Sequence, residues 1–411
     1  MSNLQKILDR IDRYRDEVIE FQSELTSRVA LGPDNGGSGE HEKAEYAKGL
    51  FKTLNPDVLE QYNAPDNRAR DGYRPNLVAG WRGRNEGPRV WVLSHSDVVP
   101  PGDLSLWTGD PYKVRVEGDR VIGRGVIDNQ HGFVSSYLAM KAIREIGEEL
   151  VRPVSLAFVA DEETGSEYGL SYLLNTYPDL FTKDDLIIVP DGGDEEGVLI
   201  EIAEKSMLWL KFTVIGHQCH ASTPEKGNNS LAGMSRLIVA LEELKDKFNI
   251  SDDLFDPPVS TFEPTKVEPN VPNINTIPGR DVFHLDCRVL PQYKVDEVIS
   301  YAKGIAVKIG DEYGLKIEVE DCYRLDAAEP TSPDAPVVKA LERAIKRVKG
   351  RDAKTVGIGG GTVAAFFRKA GFPAVVWNTG FDSAHQPDEY CPISDTITDA
   401  KIFASIYMED V

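Results

Sequence analysis

Residues 154–163 read VSLAFVADEE, seven apolar or small residues without alternation and then three acids in a row. A run of this kind suits a strand buried on both faces, as in parallel sheets. The same arrangement recurs on either side of it. RVWVLSHSDVV, residues 89–99, runs into His95 and Asp97; LIIVPD, residues 186–191, ends on Asp191; AVVWNT, residues 374–379, is followed by His385. Between these runs, helical spacing predicts helices at 132–146, 167–175 and 363–370. Strands alternating with helices predict an α/β sheet. In such sheets, ligand groups collect at the carboxyl ends of the strands. Acids and histidines at four such ends exceed what composition alone supplies.

The rest of the chain bounds what this sheet can serve. Of 411 residues, 41% are hydrophobic, enough for one or more full cores. Lys and Arg number 46 against 67 Asp and Glu, a net charge of −21, which repels a phosphate backbone and excludes nucleic acid as the main partner. No apolar run reaches the ~18 residues of a membrane span. The opening MSNLQKILDRIDRYRDEVIEF is charged throughout and lacks a signal-peptide core. The expectation is a soluble cytoplasmic protein with no membrane partner. Cys219, Cys287, Cys322 and Cys391 are too dispersed for a disulfide scaffold or a thiolate metal site.

Residues 4–29 predict one amphipathic helix and 42–54 another. Across 206–321 the acidic strand ends pause. Strands predicted at 207–215, near 266–276, at 281–289 and at 315–321, with helices at 229–248 and 294–312, give β-α-β-β-α-β, a ferredoxin-like unit. The expected organisation is one α/β domain of residues 1–205 and 323–411, interrupted by an α+β domain of residues 206–322.

Each candidate site residue has an ordinary reading beside a chemical one. His95-x-Asp97 reads as a surface pair, or as an imidazole whose second nitrogen is steered by a carboxylate while the first binds a metal. Asp128, in Gly123-Arg-Gly-Val-Ile-Asp128, reads as a helix cap or a ligand. Asp161-Glu162-Glu163 reads as a solvated loop. Alternatively it is a crowded acid cluster that cations or protons must compensate, with one acid ligating while its neighbour acts as a base. Asp191-Gly192 reads as a turn or as a carboxylate left exposed to a site. His220, in Gly216-His-Gln-Cys-His-Ala-Ser222, reads as structural or as a donor to a substrate oxygen. Gly357-Ile-Gly-Gly-Gly-Thr362 can present N–H groups to an anion but lacks the ending of a phosphate-binding loop. Histidines and carboxylates without cysteine favour Zn²⁺ over calcium or an iron–sulfur cluster, with Co²⁺ or Mn²⁺ able to take the same place. Two metals roughly 3.5–4 Å apart need about this many ligands with one carboxylate shared.

Taken in order, His95-Ser-Asp97, Gly123-Arg-Gly-Val-Ile-Asp128, Asp161-Glu-Glu163, Asp191, Gly216-x-x-x-His220-x-Ser222, Gly359-Gly-Gly-Thr362 and Ala384-His-Gln-Pro-Asp-Glu389 resemble a family of zinc metallopeptidases and deacylases. That family contains aminoacylase, acetylornithine deacetylase, succinyl-diaminopimelate desuccinylase and carboxypeptidase G. The resemblance spans nearly the whole chain. It implies a zinc-peptidase-like catalytic domain with a central mixed sheet and an inserted ferredoxin-like lid, through which the chain forms a homodimer. It implies two Zn²⁺ per chain, one held by His95, Asp128 and Asp191, the other by Asp128, Glu163 and His385, with Asp128 bridging. Asp97 then orients His95, Glu162 is the general base, and His220 reaches into an active site, often a partner's. Asn275, Arg288, Gly360, Gly361 and Thr362 fall at substrate-binding positions.

The implied reaction is hydrolysis of the amide bond of an N-acyl amino acid, or of a short peptide by a dipeptidase or aminopeptidase. The family's deacylases usually have Glu where this chain has Asp191, and its dipeptidases usually have Asp. Gly361-Thr-Val-Ala-Ala365 lacks an Arg that many relatives carry. Asp128-Asn-Gln-His131 replaces a commoner Lys-Gly ending and makes His131 a further candidate for lining the site. A non-catalytic metal-binding scaffold on the same fold is the reading from a different class. It predicts a missing base or ligand, and none is missing here.

Overall fold

The computed structural model describes residues 2–380 and 383–409; residues 1, 381, 382, 410 and 411, which the expected α/β domain includes, lie outside it. The chain divides into two compact units, 2–202 with 330–355 and 362–409, and 203–329 with 356–361. Residues 203–205, 323–329 and 356–361, expected in the α/β domain, cluster instead with the second unit.

An eight-stranded mixed sheet has its first six strands wholly in the first unit. Its order is Val58–Pro65, Tyr73–Trp81, Val154–Val159, Val90–His95, Leu186–Asp194, Ala374–Thr379, Leu199–Glu204, Lys354–Ile358. The four strands first recognised as unbroken apolar runs are its central ones and run parallel to one another. Strands 154–159, 90–95 and 374–379 are buried at every residue, which explains why they show no alternation. Parallel strands share a carboxyl end, so His95, the acids after Val159, Asp191 and the segment after Thr379 emerge on one side. The helix Gln130–Ile146, 13 of whose residues are buried, brings Asp128 to the same level just before its start.

The predicted helix over 4–29 is two helices, Asn3–Ile11 and Arg15–Ser27. Tertiary packing breaks it. Tyr14, fully buried, gives its hydroxyl to Glu145 (2.8 Å), which also takes Arg10 Nε (2.5 Å) and Lys141 Nζ (2.6 Å). Burial raises the Glu145 carboxyl, but these three hydrogen bonds outweigh it and bring it down to about 2. A depressed carboxyl contributes stability above its unfolded pKa and loses it as pH falls through the folded one. The thermal midpoint is therefore expected to drop more steeply between pH 4.5 and 2 in the wild type than in Glu145→Gln. Partial exposure limits the contribution to about 1 kcal/mol. Parallel acid melting curves would dismiss the network.

The second unit has a four-stranded antiparallel sheet, ordered Thr261–Val267, Arg280–Val289, Ser206–Ile215, Lys316–Leu325, with helices Ser230–Ala240, Glu243–Lys247 and Val295–Tyr313. Numbered in chain order the strands lie 2-3-1-4, with the first between the third and the fourth, the split β-α-β pattern. Leu208, Leu210, Phe212 and Val214 alternate into its core, and Phe212 stacks on its register partner Phe283 at 4.8 Å. The second strand lies at 261–267, not 266–276. It is an edge strand with a register shift at Pro264, where a missing N–H is tolerated. Thr276–Ile277 pairs instead with Cys219–His220. Among the described residues all four cysteines are free, and no helix is long and apolar enough to cross a membrane.

Candidate active site

Two imidazoles meet on one carboxylate. His95 Nε2 lies 2.8 Å from Asp128 Oδ1, and His385 Nε2 lies 2.9 Å from Asp128 Oδ2. Each imidazole has a second acid of its own: Asp191 at 3.6 Å from His95, and Glu163 at 3.1 Å from His385. The groups His95, Asp128, Glu163 and His95, Glu162, Asp191 each offer ligand atoms within 4.8 Å of one another. Asp128 does not cap the helix that follows it; its oxygens are taken by the histidines.

The tautomer of His95 follows from its other nitrogen. Nδ1 lies 3.1 Å from the Asp97 carbonyl oxygen, which can only accept, so Nδ1 carries a proton and Nε2 of the neutral ring is left for a cation. The Asp97 carboxylate also faces Nδ1, with Oδ1 at 3.5 Å. The same carboxylate accepts the backbone N–H groups of Glu162 (3.1 Å) and Glu163 (3.0 Å). Asp97 thus holds the acidic loop with its carboxylate and faces His95 with both its main chain and its side chain.

The charges are consistent with a cation site. Burial opposes ionisation of Asp128, yet the hydrogen bonds from His385 and His95 hold it far below the ordinary carboxylate range. The Asp128 and Glu163 hydrogen bonds push His385 up to about 10. Burial lowers His95, but Asp191 and the hydrogen bonds of neighbouring acids lift it well above its usual value. Burial, then Asp128, raises Glu163 to about 7. Burial, with Asp191 and Glu163, puts Glu162 well above the carboxylate range. A donor set this rich in acids protonates its own imidazoles, and metal ions would displace those protons on binding. The residues present fit a pair of hard or borderline divalent cations.

Several supporting residues gave little sign in the sequence. Arg74, fully buried, donates to both Glu40 oxygens through Nε (3.0 and 2.8 Å) and lies 3.2 Å from Asp161, which also caps the turn through the Tyr168 N–H (2.9 Å). Asn129 donates to Asp191 (2.6 Å) and to the Pro190 carbonyl (2.7 Å). Lys43 is 2% exposed, and burial brings its ammonium down to about 8 despite Asp97, Glu389, Glu40 and Asp128 around it. Only Asn129 had a signal, the departure at Asp128-Asn-Gln-His131. His131 itself does not line the site. It is fully buried, with Nε2 2.8 Å from Asp399 and Nδ1 near Cys391 Sγ (3.0 Å) and Thr396 Oγ1 (3.1 Å), packed on the C-terminal helix Ile393–Tyr407.

The other candidates lie in the second unit or at its boundary. His220 is exposed, and its Nδ1 accepts the Ser222 N–H (3.1 Å), which places the proton of the neutral ring on Nε2 as a donor. Arg288 is engaged by Asp286 (2.8 and 3.1 Å) and by the Gly359 carbonyl (2.9 Å), so it braces the glycine loop. Asn275 is exposed and its carbonyl takes the Ala221 N–H (2.9 Å). Gly360 is half-buried and Gly361 exposed; Thr362 Oγ1 accepts from Ala364 N (3.2 Å).

The profile of peptidase family M20/M25/M40 matches residues 91–409. An uncharacterized metallohydrolase of Methanocaldococcus jannaschii is 42% identical over 406 residues, covering 95% of this chain and 98% of its own. The succinyl-diaminopimelate desuccinylase of Methylocella silvestris is 27% identical over 392 residues, 94% of this chain and 96% of its own. Human carnosine dipeptidase 1 shares the fold, with a TM-score of 0.75 at 18% identity over 99% of this chain and 98% of that one. With one relative so close over nearly its full length, and with the family profile running from the strand of His95 to the last described residue, the chain belongs to peptidase family M20/M25/M40.

Proposed function

We propose that the chain hydrolyses the amide bond of N-acyl amino acids at a centre of two Zn²⁺, held by His95, Asp128 and Asp191 on one side and by Asp128, Glu163 and His385 on the other. Family membership makes it a metal-dependent hydrolase of amide bonds. The observation that carries the finer reading is Asp128, whose two oxygens face two different histidines. When bound, such a pair of cations lowers the pKa of water toward 7 and draws charge from a carbonyl oxygen.

The chain's own groups supply the rest. Glu162 takes the proton of the attacking water and passes it to the leaving nitrogen. Its backbone is pinned by Asp97, and its carboxylate lies within 4.8 Å of the ligand atoms of His95 and Asp191. His220 donates through Nε2 to the oxyanion, a contribution often worth a few kcal/mol. A second reading, dipeptidase or aminopeptidase, is favoured by Asp191, at a position where the family's deacylases usually have Glu.

A panel of N-acetyl- and N-succinyl-amino acids against free dipeptides, assayed with zinc and again with chelator, tests both. Zinc-dependent release from the acylated set is expected. Turnover of free dipeptides alone selects the second reading, and chelator-resistant turnover removes the metal centre. His220→Ala is expected to lose activity with zinc content intact. Mixing it with Glu162→Gln restores part of the activity if the chain is a homodimer whose His220 serves the partner; no recovery removes the exchange.

A further inference from the structure

Glu389 lies four residues beyond His385 and is fully buried. Its Oε1 accepts the backbone N–H groups of Ile127 (3.0 Å) and Asp128 (3.2 Å). Its Oε2 accepts the Gly125 N–H (3.1 Å) and Arg124 Nη1 (2.6 Å). The Glu389 carbonyl takes the Gly123 N–H (2.9 Å), and the next three residues pair as a strand with Arg120–Ile122. One side chain therefore gathers the loop that ends on Asp128 and belongs to the segment that starts from His385.

Three converging N–H groups and a guanidinium need a partner that only accepts. An ionised carboxylate meets this; an amide would turn a donor toward at least one N–H. The loop being held carries the residue shared by both histidines, so a small rotation of the Asp128 backbone moves both contacts. Burying a carboxylate here is costly unless it is paired in this way.

We propose that Glu389 is a positioning residue for the metal centre: its buried carboxylate fixes the backbone of Asp128 against the segment carrying His385, and so keeps the two halves of the centre in register. This rests on the reading of Asp128 as the shared ligand. Partners that orient ligands from behind typically contribute 10–100-fold in metal affinity.

The test titrates the full-length chain with Zn²⁺ against a chromophoric chelator and follows the thermal midpoint of each metal-free variant. Glu389→Gln is expected to bind both zinc ions about 10–100-fold more weakly than the wild type. Arg124→Met removes the same buried ion pair but leaves the three N–H groups their acceptor. It is expected to lose thermal stability while keeping zinc affinity close to wild type. Should Glu389→Gln not fold, Glu389→Asp keeps the charge and withdraws it by one methylene, and weaker binding of both ions is again expected. Wild-type zinc affinity in the folded Glu389 variant overturns the proposal. So does an equal loss in Arg124→Met, which would mean that Glu389 acts only through the stability of the fold. A wild-type chain that takes up no zinc overturns the metal centre itself, and the role of Glu389 with it.

Discussion

Glu162→Gln is expected to lower kcat by about 10²–10⁴-fold while zinc content stays at the wild-type level. The amide keeps the size and shape of the side chain but cannot accept and return a proton. Glu162 suits that exchange: burial, with Asp191 and Glu163 beside it, raises its carboxyl well above the ordinary range, while bound cations would work in the opposite direction. General-base catalysis is most effective when the base titrates near working pH, and these two influences act on Glu162 in opposite directions. Geometry alone gives Glu162 a second role, because its ligand atom lies within 4.8 Å of those of His95 and Asp191. Elemental analysis separates the two. Loss of activity with full metal content identifies a base, and loss of activity with loss of metal identifies a ligand. A variant that turns over at the wild-type rate removes Glu162 from the chemistry.

What was legible in the sequence follows from the kind of burial each segment has. Strands covered on both faces write themselves as continuous apolar runs, so Val154–Val159, Val90–His95 and Ala374–Thr379 fall where the reading put them. Their shared carboxyl end follows from their being parallel, and with it the grouping of His95, Glu163, Asp191 and His385 around Asp128. Segments whose shape is decided by distant partners were not legible. The break at Asp12–Tyr14 depends on Glu145, more than a hundred residues away, and nothing local to 4–29 announces it. The edge strand at 261–267 contains a proline, which argues against a strand until its edge position is known.

The same limit applies around the site. His95-x-Asp97 suggests a side-chain contact because residues two apart in a strand face the same way; the strand stops at His95, and the Asp97 carbonyl joins the carboxylate on the same nitrogen, at 3.1 and 3.5 Å. Arg124 and Glu389 lie in separate motifs, and only the folded chain joins them. His131 looked available because it follows a candidate ligand closely. Its partner, Asp399, faces inward from the C-terminal helix and draws it into the core.

Asp128→Ala is expected to lose both zinc ions, whereas His385→Ala loses one. The asymmetry comes from connectivity. His385 contacts Asp128 and Glu163, and its removal leaves His95, Asp128 and Asp191 in place. Asp128 offers one oxygen to each histidine, so its removal takes a ligand from both sides and the anionic charge that draws the two cations together. Zinc per chain after gel filtration, with the metal-free thermal midpoint as a check on folding, reads the difference directly. The expected order of zinc per chain is wild type, then His385→Ala, then Asp128→Ala. A folded Asp128→Ala chain that still holds two ions would show that the cations do not share this carboxylate, and the proposed centre would have to be drawn as two separate sites.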